Sequence, residues 1–158
     1  AAIVGFGTIG QELYKRLNPL GIDVYCYDVT SSDDISIYQW PILISHMDAI
    51  FLTCPLNADT FGLIDESILH SFVNPPFLIN VSRGGLVDEK QLILALKEGR
   101  LRGAALDVFE NEPLPITSHL LDLENCILGS HNASNTRQAV LRASKKALEL
   151  MNDFLYSK

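Results

Sequence analysis

Three glycines near the start of the 158-residue chain form a pattern that can bind a phosphate group. Gly5, Gly7 and Gly10 follow a short apolar run and precede a stretch with helical periodicity. In this setting the first glycine permits a tight turn and the second lets a pyrophosphate approach backbone N–H groups. The third lets a helix and a strand pack closely. The pattern therefore indicates a phosphate-binding turn between a strand and a helix.

An acidic residue extends this pattern. Asp28 ends the second apolar run, 18 residues after Gly10, close to the spacing of about 20 at which an acid holds the ribose hydroxyls of a dinucleotide. Together the two features predict a dinucleotide site. The alternative is a glycine turn that serves only close packing, beside a solvated aspartate.

A basic residue follows a later apolar run. Arg83 lies just past the expected carboxyl end of a strand, where ligands bind in open α/β sheets. Its guanidinium could hold a carboxylate through two parallel hydrogen bonds, and we expect Gly84 and Gly85 to leave space beside it. A surface salt bridge is the alternative.

Short apolar runs alternate with helical periodicity along the whole chain, which is typical of a parallel sheet covered on both faces. The predicted strands are Ala1–Val4, Asp23–Asp28, Ala49–Thr53, Phe77–Val81, Gly103–Val108 and Cys126–Leu128. We therefore expect a Rossmann-type α/β fold over residues 1–158, a doubly wound parallel sheet in three αβα layers. The first strand is short for such a fold, so we expect the chain to begin inside it.

Residues that commonly begin or end helices mark the helix boundaries. We predict Gln11–Leu20, Glu89–Glu98 and a last helix at about Thr136–Tyr156. Gly21 and Gly99 would end the first two, and Asp88 would cap the start of the second. Trp40 and Pro41 suggest that the segment Val29–Ser45 is a loop leading into a short helix.

The charge balance excludes several partners. The formal net charge is −7, and eight acids but no Lys or Arg lie between Arg16 and Arg83. This argues against nucleic acid or an anionic membrane as the main partner. The chain contains neither an apolar run of 18 residues nor a signal-peptide pattern.

The cysteines and most histidines suggest no special chemistry. Cys26, Cys54 and Cys126 have neither disulfide nor metal-ligand spacing, so we expect reduced, mostly buried thiols, no metal and a cytoplasmic protein. Three of the four histidines are interpreted as surface or core positions: His46, His70 and His119.

Three long motifs, in order and at matching gaps, carry a family resemblance. They are Asn80–Glu89, Gly103–Pro113 and Gly129–Thr136. They resemble the D-isomer-specific 2-hydroxyacid dehydrogenases, particularly the phosphoglycerate dehydrogenase-like branch. The resemblance covers the whole chain but only that family's NAD-binding domain, so we expect the substrate domain to be absent from this chain.

The resemblance implies three catalytic roles. His131 would be the general acid and base, since an imidazole titrates near physiological pH. Glu112 would orient the ring and favour its protonated form, with Glu110 as the competing assignment. Arg83 would hold the substrate carboxylate and polarise the carbonyl.

The resemblance also implies NAD as cofactor. Beside the residues of the glycine pattern and Asp28, the expected cofactor-lining residues are Thr8, Ile9, Cys54, Pro55, Val81, Ser82, Arg83, Asp107, His131, Asn132, Ala133 and Ser134. Asp107 would face the nicotinamide side, or would only cap the loop that follows it. Because no Lys or Arg from Leu17 to Ser82 could neutralise a 2′-phosphate, we expect NAD(H) to be preferred to NADP(H).

The implied function is an NAD-dependent oxidoreductase acting on the CH–OH group of a D-2-hydroxy acid. The first expectation is oxidation of 3-phosphoglycerate to 3-phosphohydroxypyruvate, a step of serine biosynthesis. The alternatives are a glyoxylate or hydroxypyruvate reductase, a D-lactate dehydrogenase and, outside the enzymes, an NAD-responsive corepressor-type binding module. The expected partner is a small 2-hydroxy or 2-oxo acid, and the full-length protein is expected to be a homo-oligomer such as a dimer.

Overall fold

The computed structural model describes residues 1–28 and 44–156. Within this part, six strands form one parallel sheet in the order β2-β1-β3-β4-β5-β6. The strands are β1 (Ala2–Val4), β2 (Tyr25–Tyr27), β3 (Ala49–Leu52), β4 (Phe77–Asn80), β5 (Gly103–Leu106) and β6 (Cys126–Leu128). The predicted doubly wound parallel sheet is confirmed, although every strand except β6 is shorter than expected, by one to three residues.

Helices of at least six residues connect or follow the strands. They are α1 (Thr8–Leu17), α2 (Glu66–Ser71), α3 (Glu89–Lys97) and α4 (Arg137–Tyr156). The helix predicted to begin at Gln11 starts three residues earlier, and its predicted last three residues form a 3₁₀ turn, Asn18–Leu20. Helix α2 was not predicted, since six residues give too little periodicity. The loop and short helix predicted for Val29–Ser45 lie outside the described residues as far as position 43.

Local sequence explains the limits of α3. The Asp88 carboxylate accepts a hydrogen bond from the Gln91 N–H, as an N-cap does. The helix buries Leu92 and Leu96 on the side that faces the sheet. The chain leaves the helix through Gly99, whose φ of 73° lies in the left-handed region.

The main core lies between one face of the sheet and the helices α2 and α3. One apolar cluster joins alternate strand residues such as Ile50 and Leu78 to Leu69 of α2 and Leu92 of α3. Helix α1 packs on β1. Cys54 is buried, and Cys26 and Cys126 are partly buried.

The last helix differs from the others because no described residue of it is buried. Its large apolar residues, among them Leu148 and Met151, are more than half exposed. In residues 1–28 and 44–156, no helix is both long enough and apolar enough to span a bilayer.

The topology decides where a site can form. All strands point the same way, so their carboxyl ends share one edge of the sheet. The chain reverses its winding direction between β1 and β3, and ligands in open α/β sheets bind at such a switch point. The glycine turn and Asp28 follow β1 and β2, while Arg83, Asp107 and His131 follow β4, β5 and β6.

Candidate active site

The glycine turn after β1 is built for close packing at two of its three glycines. Gly5 has a φ of 97°, and a Cβ there would overlap the backbone of Cys54. A Cβ on Gly10 would overlap the carbonyl oxygen of Gly5. By contrast, a Cβ on Gly7 would contact no protein atom within 4 Å. Packing therefore does not require Gly7, and the space that a side chain would fill is open to a ligand.

The start of helix α1 suits an anionic ligand. Gly7 is the N-cap, so no side chain caps the first turn, and that turn contains no acidic residue. The first N–H groups of a helix lack intrahelical partners and attract anions. Thr8 and Ile9 are exposed in this turn. These features fit the pyrophosphate of a dinucleotide.

Asp28 lies beside the same turn. Its Oδ2 accepts a hydrogen bond of 2.6 Å from the Phe6 N–H. The carboxylate that sequence analysis assigned to the ribose is thus fixed against the glycine turn.

The ends of β3 and β4 join this region. The Thr53 hydroxyl donates to the Gly5 carbonyl oxygen at 2.6 Å, and the Ser82 hydroxyl donates to the Cys54 carbonyl oxygen. Burial raises the pKa of the Cys54 thiol. Pro55 accepts a hydrogen bond from the Thr60 hydroxyl at 2.7 Å. The structure therefore places the Cys54 backbone against Gly5 and the Ser82 hydroxyl against Cys54.

Asn80, which sequence analysis did not select, organises the loop that bears Arg83. Asn80 is buried at the end of β4. Its Oδ1 accepts from the Ser82 N–H at 3.1 Å, and its Nδ2 donates to the Arg83 carbonyl oxygen at 2.9 Å. An asparagine directly before Val-Ser-Arg, able to bond the backbone two residues on, was the available signal.

The structure contradicts the expectation that Gly84 leaves space beside Arg83. A Cβ on Gly84 would overlap the backbone of Phe109 and come within 2.5 Å of the Glu110 nitrogen. The space beside Arg83 at Gly84 is therefore filled by the loop after β5, rather than left free for a ligand.

Glu112 and His131 form the central pair of the site. Glu112 Oε2 lies 2.7 Å from His131 Nδ1, and Glu112 Oε1 accepts from the Phe109 N–H at 3.0 Å. The hydrogen bond from His131, then the Phe109 N–H, and also the charge of Arg83, hold the pKa of the Glu112 carboxyl below its usual range. An ionised carboxylate only accepts hydrogen bonds, so His131 Nδ1 is the donor and Nε2 is left for other chemistry.

The two side chains are accessible. The side chain of His131 is 47% exposed and that of Glu112 is 35% exposed. They border a cleft of about 430 Å³ that is otherwise lined by Phe109, Pro113 and Leu114 together with the backbone before His131. Glu110 was the competing assignment for the carboxylate that orients His131. Among the described residues no hydrogen bond joins Glu110 to His131, and Glu110 bonds to Glu89 instead.

Asp107 holds the loop that carries His131. His131 has a φ of 56°, a left-handed conformation that costs a non-glycine residue roughly 1–2 kcal/mol. Its N–H donates to the Asp107 carbonyl oxygen at 2.8 Å, and the Asp107 carboxylate accepts from the N–H groups of Asn132 at 3.2 Å and Ala133 at 2.9 Å. A Cβ on Gly129 would overlap Asp107 Oδ1. These contacts support the capping role that sequence analysis gave as the alternative.

The other predicted positions have simpler surroundings. Val81 and Ser134 are exposed at the same edge of the sheet. His46, His70 and His119 are exposed as well. Among the residues that the structure describes, no group of three or more His, Cys, Asp or Glu could hold a metal ion.

Comparison with known proteins agrees with this geometry. The pattern that defines the D-isomer specific 2-hydroxyacid dehydrogenase, NAD binding domain, matches residues 1–133. The chain belongs to this family. The matched part contains the glycine turn, Arg83, Glu112 and His131, so the candidate site lies within the NAD-binding domain of a 2-hydroxyacid dehydrogenase.

Curated members of the 2-hydroxyacid dehydrogenase family resemble most of the chain. A glyoxylate reductase of Korarchaeum cryptofilum is 37% identical over 153 residues, which are 93% of this chain and 46% of that protein. A glyoxylate/hydroxypyruvate reductase of Arabidopsis thaliana is 37% identical over 137 residues, which are 85% of this chain and 44% of that protein. The chain therefore spans about half the length of these relatives.

Solved structures of 2-hydroxyacid dehydrogenases share the fold. An NADPH-dependent glyoxylate/hydroxypyruvate reductase from Sinorhizobium meliloti, in complex with NADP and sulfate, has a TM-score of 0.88 at 25% identity and covers 99% of this chain and 52% of its own. A D-isomer specific 2-hydroxyacid dehydrogenase from Xanthobacter autotrophicus, in complex with NADPH, has a TM-score of 0.78 at 31% identity and covers 83% of this chain and 44% of its own.

The contacts of Asp107 generate a prediction about the His131 loop. In Asp107→Asn an amide nitrogen replaces one of the two accepting oxygens, so one backbone N–H of Asn132 or Ala133 faces another donor. We expect these two amides to exchange hydrogen roughly tenfold faster, which corresponds to about 1.4 kcal/mol of local stability. Hydrogen exchange read by NMR measures this. Asp122→Asn, at an exposed carboxylate, is the control, and equal exchange in both variants would contradict the role of Asp107.

Proposed function

We propose that the protein containing this chain reduces a small 2-oxo acid, glyoxylate or hydroxypyruvate, to the D-2-hydroxy acid with NADH. The observation that carries the proposal is the Glu112–His131 pair, held 2.7 Å apart beside Arg83 at the ligand-binding edge of the sheet. The names of the curated relatives support glyoxylate and hydroxypyruvate as substrates.

Each of the three residues has one task in this proposal. Arg83 binds the substrate carboxylate, because its guanidinium can make two parallel hydrogen bonds. His131 donates a proton from Nε2 to the substrate oxygen. Glu112 holds the imidazole through Nδ1 and stabilises its charged form. NADH supplies the hydride that is added to C2 of the substrate.

The cofactor would lie across the switch point of the sheet. Gly7, with Thr8 and Ile9 in the first turn of α1, would receive the pyrophosphate, and Asp28 would accept the ribose hydroxyls. The ends of β3 and β4, at Cys54 and Ser82, would line the remainder. We propose that this chain is the cofactor half of the enzyme, and that residues outside it supply further substrate contacts, since the curated relatives are about twice as long.

The other expectations have less support. The first of them, oxidation of 3-phosphoglycerate, stays a prediction, because the relatives described above carry the names of glyoxylate and hydroxypyruvate reductases. Lactate as substrate and a corepressor-type module likewise have no observation in their favour.

Two substitutions in the full-length protein test the proposal. His131→Gln removes the proton donor and should lower kcat for glyoxylate reduction by roughly 10²–10⁴ while the Kd for NADH stays unchanged. Arg83→Lys replaces the guanidinium fork with a point charge and should mainly raise KM for the acid. NADH oxidation assays with glyoxylate, hydroxypyruvate and 3-phosphohydroxypyruvate measure both effects.

The matched control is His119→Gln, at an exposed histidine near Asp122. It should leave kcat and KM unchanged. Near-normal kcat in His131→Gln would refute the proton-transfer role, and a clear preference for 3-phosphohydroxypyruvate would replace the proposed substrates with the phosphoglycerate expectation.

We also propose that NADH is preferred to NADPH, although the two solved relatives above were crystallised with NADP or NADPH. A 2′-phosphate beside Asp28 would bring like charges together. Two unit charges 4 Å apart repel by about 1 kcal/mol in water and about 4 kcal/mol at an effective dielectric of 20. No Lys or Arg between Leu17 and Ser82 offsets this repulsion.

This preference has a direct test. The Kd for NADPH should exceed that for NADH by roughly tenfold to a hundredfold, which corresponds to about 1.4–2.8 kcal/mol. Asp28→Ala should narrow the difference between the two Kd values, chiefly by weakening the binding of NADH. Asp23→Ala, at an exposed acid just before β2, should not change this difference. Fluorescence titration measures both constants, and similar Kd values in the unmodified protein would disprove the role of Asp28.

A further inference from the structure

Two glutamates outside the catalytic trio join the loops that carry it. Glu89 is the first residue of α3, and its N–H donates to Glu110 Oε1 at 3.0 Å. In return, the Glu110 N–H donates to Glu89 Oε2 at 3.2 Å. Each side chain thus accepts the backbone N–H of the other residue, across 21 positions of sequence. We call this the Glu89–Glu110 exchange.

The Glu89–Glu110 exchange does more than cap α3, because only one of its two hydrogen bonds satisfies an N–H group of the helix. Asp88 already accepts from the Gln91 N–H. Bringing two acids together also has a cost: burial raises the pKa of Glu89, and the nearby charge of Glu110 raises it further, while the Glu110 N–H acts in the opposite direction. The positive end of the helix dipole offsets part of this repulsion. A role beyond the helix end would explain why both carboxylates are present.

The exchange connects directly to the catalytic pair. Phe109, the neighbour of Glu110, donates its N–H to Glu112 Oε1 at 3.0 Å, and Glu112 bonds to His131. On the other side, the backbone of Gly84, next to Arg83, packs against the Phe109 carbonyl so closely that no Cβ would fit. The Phe109–Glu110 peptide is therefore the point where the Arg83 loop meets the loop of Glu112.

We propose that Glu89 and Glu110 are positioning residues that fix the Glu112–His131 pair relative to Arg83. The inference rests on the proposed function, because it assigns these two residues to the geometry of that reaction. The substrate carboxylate on Arg83 and the substrate oxygen at His131 belong to one small molecule, so the separation of the two loops must match the length of that molecule. Displacement by about 1 Å can cost as much as a hundredfold in rate.

Kinetics of the full-length protein give the first test. Glu110→Ala should lower kcat/KM for glyoxylate by roughly tenfold to a hundredfold without changing the Kd for NADH. Glu110→Gln should recover most of the loss, because its amide oxygen can still accept the Glu89 N–H. Glu89→Ala should have a similar effect, and the double alanine variant should be little worse than either single one, since both act through one exchange. Glu124→Ala, at an exposed glutamate, is the control.

The second test does not need turnover. Loosening Phe109 weakens its N–H hydrogen bond to Glu112, so the pKa of the Glu112 carboxyl should rise in Glu110→Ala, with His131 and Arg83 unchanged around it. Carbon-13 NMR of the side-chain carboxyl follows this titration in the same protein, with Glu112→Gln to assign the signal. A role confined to the stability of α3 would lower the melting temperature and leave the pKa of Glu112 unchanged.

The two tests separate the possible failures. Normal kcat/KM in Glu110→Ala of an active enzyme overturns the positioning role and leaves the proposed function intact. An unmodified protein that reduces no 2-oxo acid overturns the proposed function, and a raised pKa of Glu112 in the variant then still supports the coupling of the two loops. An unchanged pKa of Glu112 in Glu110→Ala also overturns the inference, even where kcat/KM falls.

Discussion

The hydrogen bond between Glu112 and His131 is the interaction on which the candidate site depends. It ties the loop after β5 to the loop after β6, fixes which imidazole nitrogen is available, and keeps the carboxyl group ionised. The surrounding contacts serve it: the Phe109 N–H holds the second carboxylate oxygen, and Asp107 holds the unusual backbone of His131. Isolated side chains of the same types in water would have no such fixed geometry.

The parallel sheet explains why the proposed cofactor site and the three proposed catalytic groups can meet. All strands end at one edge, so loops that are distant in sequence become neighbours there. The proposed cofactor-binding residues follow β1 and β2, on one side of the switch point, and also β3 and β4, whereas the proposed catalytic residues follow β4, β5 and β6, on the other side. The loop after β4 belongs to both groups, since it carries Ser82 beside Cys54 and Arg83 near Glu112.

Local sequence signals predicted a large part of this arrangement. The glycine turn and the Asp88 cap each depend on residues close together in the chain, and the structure places them as expected. Asp28 was found by its spacing of 18 residues from Gly10, and it lies against the glycine turn. The contacts between loops could not be predicted in this way. The space at Gly84 is filled by Phe109, and Glu110 bonds to Glu89, because the fold brings together residues more than 20 positions apart. Helix α2 is too short for periodicity to reveal.

The most direct test of the account is the rate of glyoxylate reduction by full-length Glu112→Gln. The amide keeps the size of the side chain and an oxygen for the Phe109 N–H but removes the charge that stabilises protonated His131. The account predicts that kcat falls by roughly tenfold or more, while the Kd for NADH is unchanged. An unchanged kcat across the pH range would contradict the central role of the Glu112–His131 pair.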